Sequence, residues 1–254
     1  MKERFSAPHI LTAGYGGYLR NVVRVDTHLH SYLQVGDEAL LSAKVAPTWI
    51  GKNRVNSGRA AVFAGADVLV MDDGFQNNFL EKDLKILVVD SKQGFGNGHL
   101  FPAGPLREPV KSGINKSDMI LIIGDKNQEL KDRIRQISAN IPIFNAKMKV
   151  VNPVEIENNR VVGFCGLGYP QKFKKTLIDC GYEVIDFIPF SDHHPYTITE
   201  IQKLISGAKG VGATLITTMK DYVKKEMSVI NIKLTTDDEG FKDKIFEFIS
   251  KKNK

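Results

Sequence analysis

The sequence predicts an α/β protein, a mostly parallel sheet with helices on both faces followed by a smaller second α/β unit. Three observations predict it. The short aliphatic runs in "ADVLVMDDG", "LKILVVD" and "SDMILIIGD" are continuous rather than alternating, the pattern of strands buried on both faces. Segments of helical period stand between them, as crossovers in a parallel sheet require. The 254 residues are 42% hydrophobic and 25% charged, which suits one large or two modest domains.

Taken in order, "PHILTAGYGG" reads as a strand running into a glycine turn. "GDEALLSAKV" reads as a helix whose first turn carries two acids, where the helix dipole favours negative charge. "ADVLVMDDG" and "LKILVVDSKQGFGNG" follow as strands ending in loops, "SDMILIIGD" as a further strand, and "NQELKDRIRQISANI" as an amphipathic helix. Residues 151–160, "VNPVEIENNR", are polar and turn-rich and mark a linker or a small β excursion. Beyond them, "VVGFCGLGYPQKFKKTLIDCGYEVIDFIPF" and "TITEIQKLISGAKGVGATLITTMKDYVK" resume the strand and helix rhythm. The expected division is a core domain over 1–150, a linker over 151–160 and a smaller α/β domain over 161–254. In such sheets the chemistry gathers outside the carboxyl ends of the strands.

The net charge of +6 favours an anionic partner, whether phosphate, nucleotide, nucleic acid or acidic lipid surface. The basic residues are scattered, apart from a terminal "KKNK" that reads as a solvated tail. With no basic helix and no aromatic-and-basic stripe, a nucleic-acid partner is not expected. Cys165 and Cys180 lack zinc or disulfide spacing, which fits a reducing cytoplasm. The aliphatic runs are far shorter than the roughly 20 apolar residues of a membrane span, and "MKERFSAPHI" has no apolar signal core.

Asp72 and Asp73 close an aliphatic strand. A strand of this kind delivers a carboxylate to Mg²⁺ in phosphate-loop enzymes, and it equally leads into an ordinary Asp-Gly turn. The first reading calls for a GxxxxGKS/T loop to cradle phosphate, and the 254 residues contain none. "GAKGVGAT" has the glycine spacing but places Ala213 at the lysine position and precedes a strand instead of following one. It reads as a glycine turn at a helix end. "GLGYPQ" lacks the third glycine of a dinucleotide fingerprint.

The motifs "GYGG" (14–17), "VGDEALLSAK" (35–44), "DDGFQ" (72–76), "FGNGHLFPAGPLREP" (95–109), "FSDHHPY" (190–196) and "TTMKD" (217–221) occur in an order and spacing that resembles the tetraacyldisaccharide 4'-kinase family over nearly the whole chain. The resemblance implies a P-loop-kinase-like fold of two α/β domains joined by a β linker. It also implies ATP and Mg²⁺ as cofactors, and phosphorylation of the 4' hydroxyl of an acylated glucosamine disaccharide 1-phosphate in lipid A synthesis. The place of action it implies is the inner face of the cytoplasmic membrane.

Carried over by motif, Asp72 and Asp73 resemble the Mg²⁺ carboxylates, with Glu38 as a further metal ligand or a helix-dipole acid. Asp37 resembles the family's catalytic aspartate and His193 its partner, a carboxylate that accepts the sugar hydroxyl proton and an imidazole that orients it. Asp37 could otherwise complement the helix dipole, and His193 and His194 could be polar loop residues. Tyr15, Gln76, Asn97 and Arg107 are the implied substrate contacts, Arg107 for its bidentate phosphate geometry. A turn or rigid loop would use the same glycines and prolines. Lys220 and Asp221 match a family pair that could serve catalysis or simply pair with each other.

The chain departs from the family pattern at "TAGYGG", where an arginine is usual before the first glycine, and at Asn77, where a histidine is usual. The resemblance also places the family's membrane-associating helix and its P-loop strand and helix ahead of "KERFSAPHILTAGYGG", so they are not expected within these 254 residues. These departures lead to three expectations: a sheet edge with exposed apolar surface, little or no phosphoryl transfer by this polypeptide, and, as the alternative function, a non-catalytic remnant that binds an acylated sugar phosphate.

Overall fold

The computed structural model describes residues 7–152, 156, 158–222, 229–236 and 240–252. Residues 153–155 and 157 of the expected linker, and the last two residues of "KKNK", lie outside them. The first elements are β1 (Pro8–Thr12), β2 (Val23–Arg24), α1 (Tyr32–Val35), α2 (Asp37–Ala43), β3 (Thr48–Ile50), α3 (Arg54–Phe63) and β4 (Val68–Met71). Next come β5 (Ile86–Asp90), α4 (Val110–Lys116), β6 (Met119–Ile123), α5 (Gln128–Ile137) and β7 (Ile143–Asn152). The remainder are β8 (Arg160–Cys165), α6 (Pro170–Asp179), β9 (Glu183–Pro189), α7 (Ile198–Gly210), β10 (Thr214–Thr218), α8 (Met219–Tyr222), β11 (Val229–Thr235) and α9 (Gly240–Lys252). The architecture is a mostly parallel α/β one. Two compact units divide it, residues 1–79 with 150–232, and residues 80–149 with 233–254.

In the first unit, β2, β3, β1 and β4 form a sheet in that order. β1 runs parallel to β3 and to β4, with Leu11 opposite Trp49 on one side and Met71 on the other. Leu11 is fully buried, as a central strand demands. Val35, Ala39, Leu40 and Ile50 pack with Val25 beneath α2. β4 ends the sheet, and all four of its aliphatic residues are only half-buried. The same unit carries the parallel order β11, β10, β8, β9. Val161, Phe173, Leu177 and Ile216 form one core of that sheet, and Phe164, Tyr196, Ile201 and Leu204 another.

The helices begin where side chains can cap them. Asn53 accepts from the amides of Val55 and Asn56 at the start of α3, and Thr197 and Glu200 form a reciprocal capping box at the start of α7. In the second unit, β5, β6 and β7 are parallel neighbours. Leu130 and Ile134, one turn apart on α5, pack with Val89, Ile114, Ile120 and Ile122. Among the described residues, no helix is long and apolar enough to cross a membrane.

Candidate active site

The site is built in the first unit from the loop after β1 and the short helix α1, locked backbone to backbone. Tyr18 and Leu19 donate their amides to the carbonyls of Leu33 and Gln34, both at 2.9 Å. The approach is so close that a Cβ on Gly36 would strike the Tyr15 carbonyl, and Gly36 also has φ 88°, the left-handed region that glycine tolerates. The motifs "GYGG" and "GDE" are therefore one structural feature. Immediately after Gly36, α2 begins with Asp37, which is 3% exposed and whose Oδ1 accepts from the Glu38 amide at 2.9 Å.

His193 comes from the loop after β9, with φ 58°. Its amide donates to the Gly166 carbonyl at 3.3 Å and to Asp192 at 3.1 Å. Its Nδ1 lies 3.1 and 3.0 Å from the two oxygens of Asp37. The Tyr15 ring meets the imidazole edge-on, with centroids 5.3 Å apart. The structure thus brings together three of the residues that the sequence singled out, Tyr15, Asp37 and His193.

On the other side of the ring, Lys220 Nζ lies 3.1 Å from His193 Nε2, 3.1 Å from Asp192 Oδ1 and 3.6 Å from Glu38 Oε1. Burial opposes the ammonium charge, but the hydrogen bond to Asp192 and the charges of Asp37, Asp192 and Glu38 outweigh it and raise its pKa. The neighbouring Asp221 points the opposite way. It is fully buried and accepts from the Gly166 amide, the Tyr196 hydroxyl and the Thr218 hydroxyl. Lys220 and Asp221 are therefore not partners of each other; Asp221 anchors α8 and Lys220 faces the site. His194 is packed rather than poised, between Phe190 and Tyr196, with Nε2 3.2 Å from Glu200.

Asp72 and Asp73 follow β4 at the carboxyl end of the sheet, both exposed. The Thr12 hydroxyl at the end of β1 lies 3.4 Å from Asp72 Oδ2. Arg54 is 8% exposed and donates to the Gly51 carbonyl. Burial lowers its pKa, and the charges of Asp72 and Asp73 counter that. Mg²⁺ is held by one or two carboxylates together with phosphate oxygens, and this exposed pair beside a hydroxyl fits such a group. Among the described residues, no cluster of three or more acidic, histidine or cysteine side chains offers an all-protein metal cage.

Sequence reading missed Thr12 and Arg54. The strand register that sets β1 beside β4 is the signal that would have paired Thr12 with Asp72, whereas Arg54 is one basic residue among many. Gln76 is exposed in the turn after Asp73. In the second unit, Asn97 spends its amide within its own loop, donating to Ala103 O at 2.9 Å and accepting from the His99 amide at 3.1 Å. Arg107 is exposed in the same loop region.

Comparison with known proteins gives a consistent result. The chain is 43% identical over 219 residues to the tetraacyldisaccharide 4'-kinase of Rhodospirillum centenum, covering 85% of this chain but only 64% of that relative. With the corresponding kinase of Gluconobacter oxydans it shares 40% identity over 259 residues, covering 98% of this chain and 77% of the relative. The LpxK structure from Aquifex aeolicus, solved in complex with ATP, matches with a TM-score of 0.72 at 27% identity, over 96% of this chain and 78% of that one. The family model described as tetraacyldisaccharide-1-P 4'-kinase matches residues 1–250, and the chain belongs to that family.

Proposed function

We propose that this chain carries the acceptor and proton-handling part of a kinase site that transfers phosphate from ATP to the 4' hydroxyl of an acylated glucosamine disaccharide 1-phosphate, a step of lipid A synthesis. The observation that carries the reading is the pairing of Asp37 with His193 at 3.0 Å, across 156 residues of sequence. Phosphoryl transfer asks a protein chiefly to position the nucleophile and balance charge. Asp37 is the group proposed to take the hydroxyl proton, and the imidazole holds that carboxylate in place.

Asp72 and Asp73 are the proposed Mg²⁺ ligands, with Glu38 as a third candidate. When bound with ATP, the metal supplies charge neutralisation at the transferred group. Tyr15, Gln76, Asn97 and Arg107 are the proposed acceptor contacts. Peripheral attachment at the inner face of the cytoplasmic membrane belongs to the same proposal, because the acceptor is a lipid and the net charge of +6 favours an anionic surface.

The absence of GxxxxGKS/T from these 254 residues favours a second reading, binding of an acylated sugar phosphate without its phosphorylation. Under this proposal these 254 residues by themselves are expected to transfer phosphate at a trace rate or not at all, since their sequence contains no GxxxxGKS/T loop to cradle the reacting phosphoryl. One experiment separates the readings: the purified chain is incubated with γ-labelled ATP, Mg²⁺ and detergent-dispersed tetraacyldisaccharide 1-phosphate, and acceptor binding is measured in parallel. Transfer that disappears in Asp37→Asn establishes catalysis within the chain. Saturable acceptor binding without transfer and with no effect of nucleotide favours the second reading, and neither binding nor transfer would sink both.

A further inference from the structure

Lys220 is the member of the site whose work the proton-accepting role of Asp37 leaves unexplained. Its ammonium has three N–H donors and no acceptor. At 3.1 Å from His193 Nε2 it can only donate, so that ring nitrogen must offer its lone pair. The neutral imidazole then carries its one proton on Nδ1, which faces both oxygens of Asp37. A proton on Nε2 would set two N–H groups against each other. The nearest carboxylate on that side, Asp192 Oδ1, is 3.8 Å from Nε2, beyond hydrogen-bond reach. Asp192 accepts instead from Lys220, at 3.1 Å.

We propose that Lys220 is a positioning residue for the Asp37–His193 pair: by occupying the Nε2 lone pair it confines the ring proton to Nδ1, aimed at Asp37, and leaves the Asp37 carboxylate as the proton acceptor of the pair. The backbone that presents Lys220 is itself held. Asp221, the next residue, is fixed by the amide of Gly166 and the hydroxyls of Tyr196 and Thr218, so the first turn of α8 cannot drift from the loop that carries His193. The inference rests on the kinase reading of the site, but its test reads the ring itself, so either can fail while the other stands.

The test is a two-bond proton–nitrogen correlation spectrum of the chain labelled with ¹⁵N-histidine, in which the His193 signals are those lost in His193→Gln. The parent chain should show a protonated Nδ1 and an acceptor Nε2. In Lys220→Met, Nε2 should leave its hydrogen-bonded position or gain a proton, whereas Lys220→Arg, which keeps a cationic donor, should retain the parent pattern. A protonated Nε2 in the parent overturns the proposal without recourse to any variant. So does a Lys220→Met spectrum whose His193 signals superimpose on the parent's.

Discussion

Replacing Asp221 with alanine tests whether the buried carboxylate holds this part of the fold together. The carboxylate is fully buried and accepts from the Gly166 amide at 3.2 Å to each oxygen, the Tyr196 hydroxyl at 3.1 Å and the Thr218 hydroxyl at 2.8 Å. Its removal takes this acceptor from three buried donors, each costing about 1–3 kcal/mol when stranded, for a ceiling of roughly 9 kcal/mol. Two effects reduce that ceiling: the space vacated by the carboxylate can take in a water, and the hydroxyls can turn towards it. The charge also has a cost of its own. After burial itself, the charge of Asp221 helps push the Cys165 thiol up to about 12 and the Tyr196 hydroxyl well above its ordinary value. The expected net loss is about 3–5 kcal/mol. Urea unfolding followed by far-ultraviolet circular dichroism should show the midpoint falling by about 1–2 M, with the slope unchanged. A loss below about 1 kcal/mol would refute the reasoning, because it would mean that the three donors do not depend on this carboxylate.

Two further substitutions test local parts of the fold. Asn53→Ala removes the acceptor for the amides of Val55 and Asn56 and should cost about 1 kcal/mol; a neutral result in urea unfolding would show that α3 does not need its cap. Glu200 has its pKa lowered, first by the Thr197 amide and then by the Thr197 hydroxyl. A depressed carboxylate stabilises the fold above its unfolded-chain value, 4.5 for Glu200, and loses that contribution as the pH falls through the folded value. Glu200→Ala should therefore melt below the parent at about pH 7, and the gap should narrow as the pH falls below 4.5. A gap in melting temperature that is constant with pH would contradict the assignment.

How much of the fold was legible depended on where its burial is regular. β5, β6 and α5 were readable because continuous aliphatics and a one-sided stripe met the parallel-sheet pattern, and Asn127 caps α5 by accepting from the Leu130 amide. α3 gave no such signal: it buries Arg54, Ser57 and Gly58 while Phe63 stays 95% exposed. β2 and β3 span two and three residues, too few for any period to show. The candidate site was legible only as separate motifs. No local pattern joins Asp37 to a histidine 156 residues away, because that contact exists only once the start of α2 has packed against the loop after β9. For Lys220 and Asp221, adjacency in sequence suggested a pair, but neighbouring helical positions do not face each other.

The distribution of backbone strain supports the same site independently of its side chains. Among the described residues, the non-glycine positions with left-handed φ are Asp73, Asn159 and His193. Such positions cost of order 1–3 kcal/mol and persist only where the surroundings over-determine them, although Asp, Asn and His bear them better than most residues. Two of the three are proposed site residues. For His193 the over-determination is visible: its amide is tied to Gly166 and Asp192, and its ring is held between Asp37 and Lys220. A relaxed φ would turn the imidazole out of that gap. The fold therefore maintains an unfavourable backbone angle at the residue that joins the carboxylate to the ammonium, a cost that agrees with the catalytic role proposed for this contact.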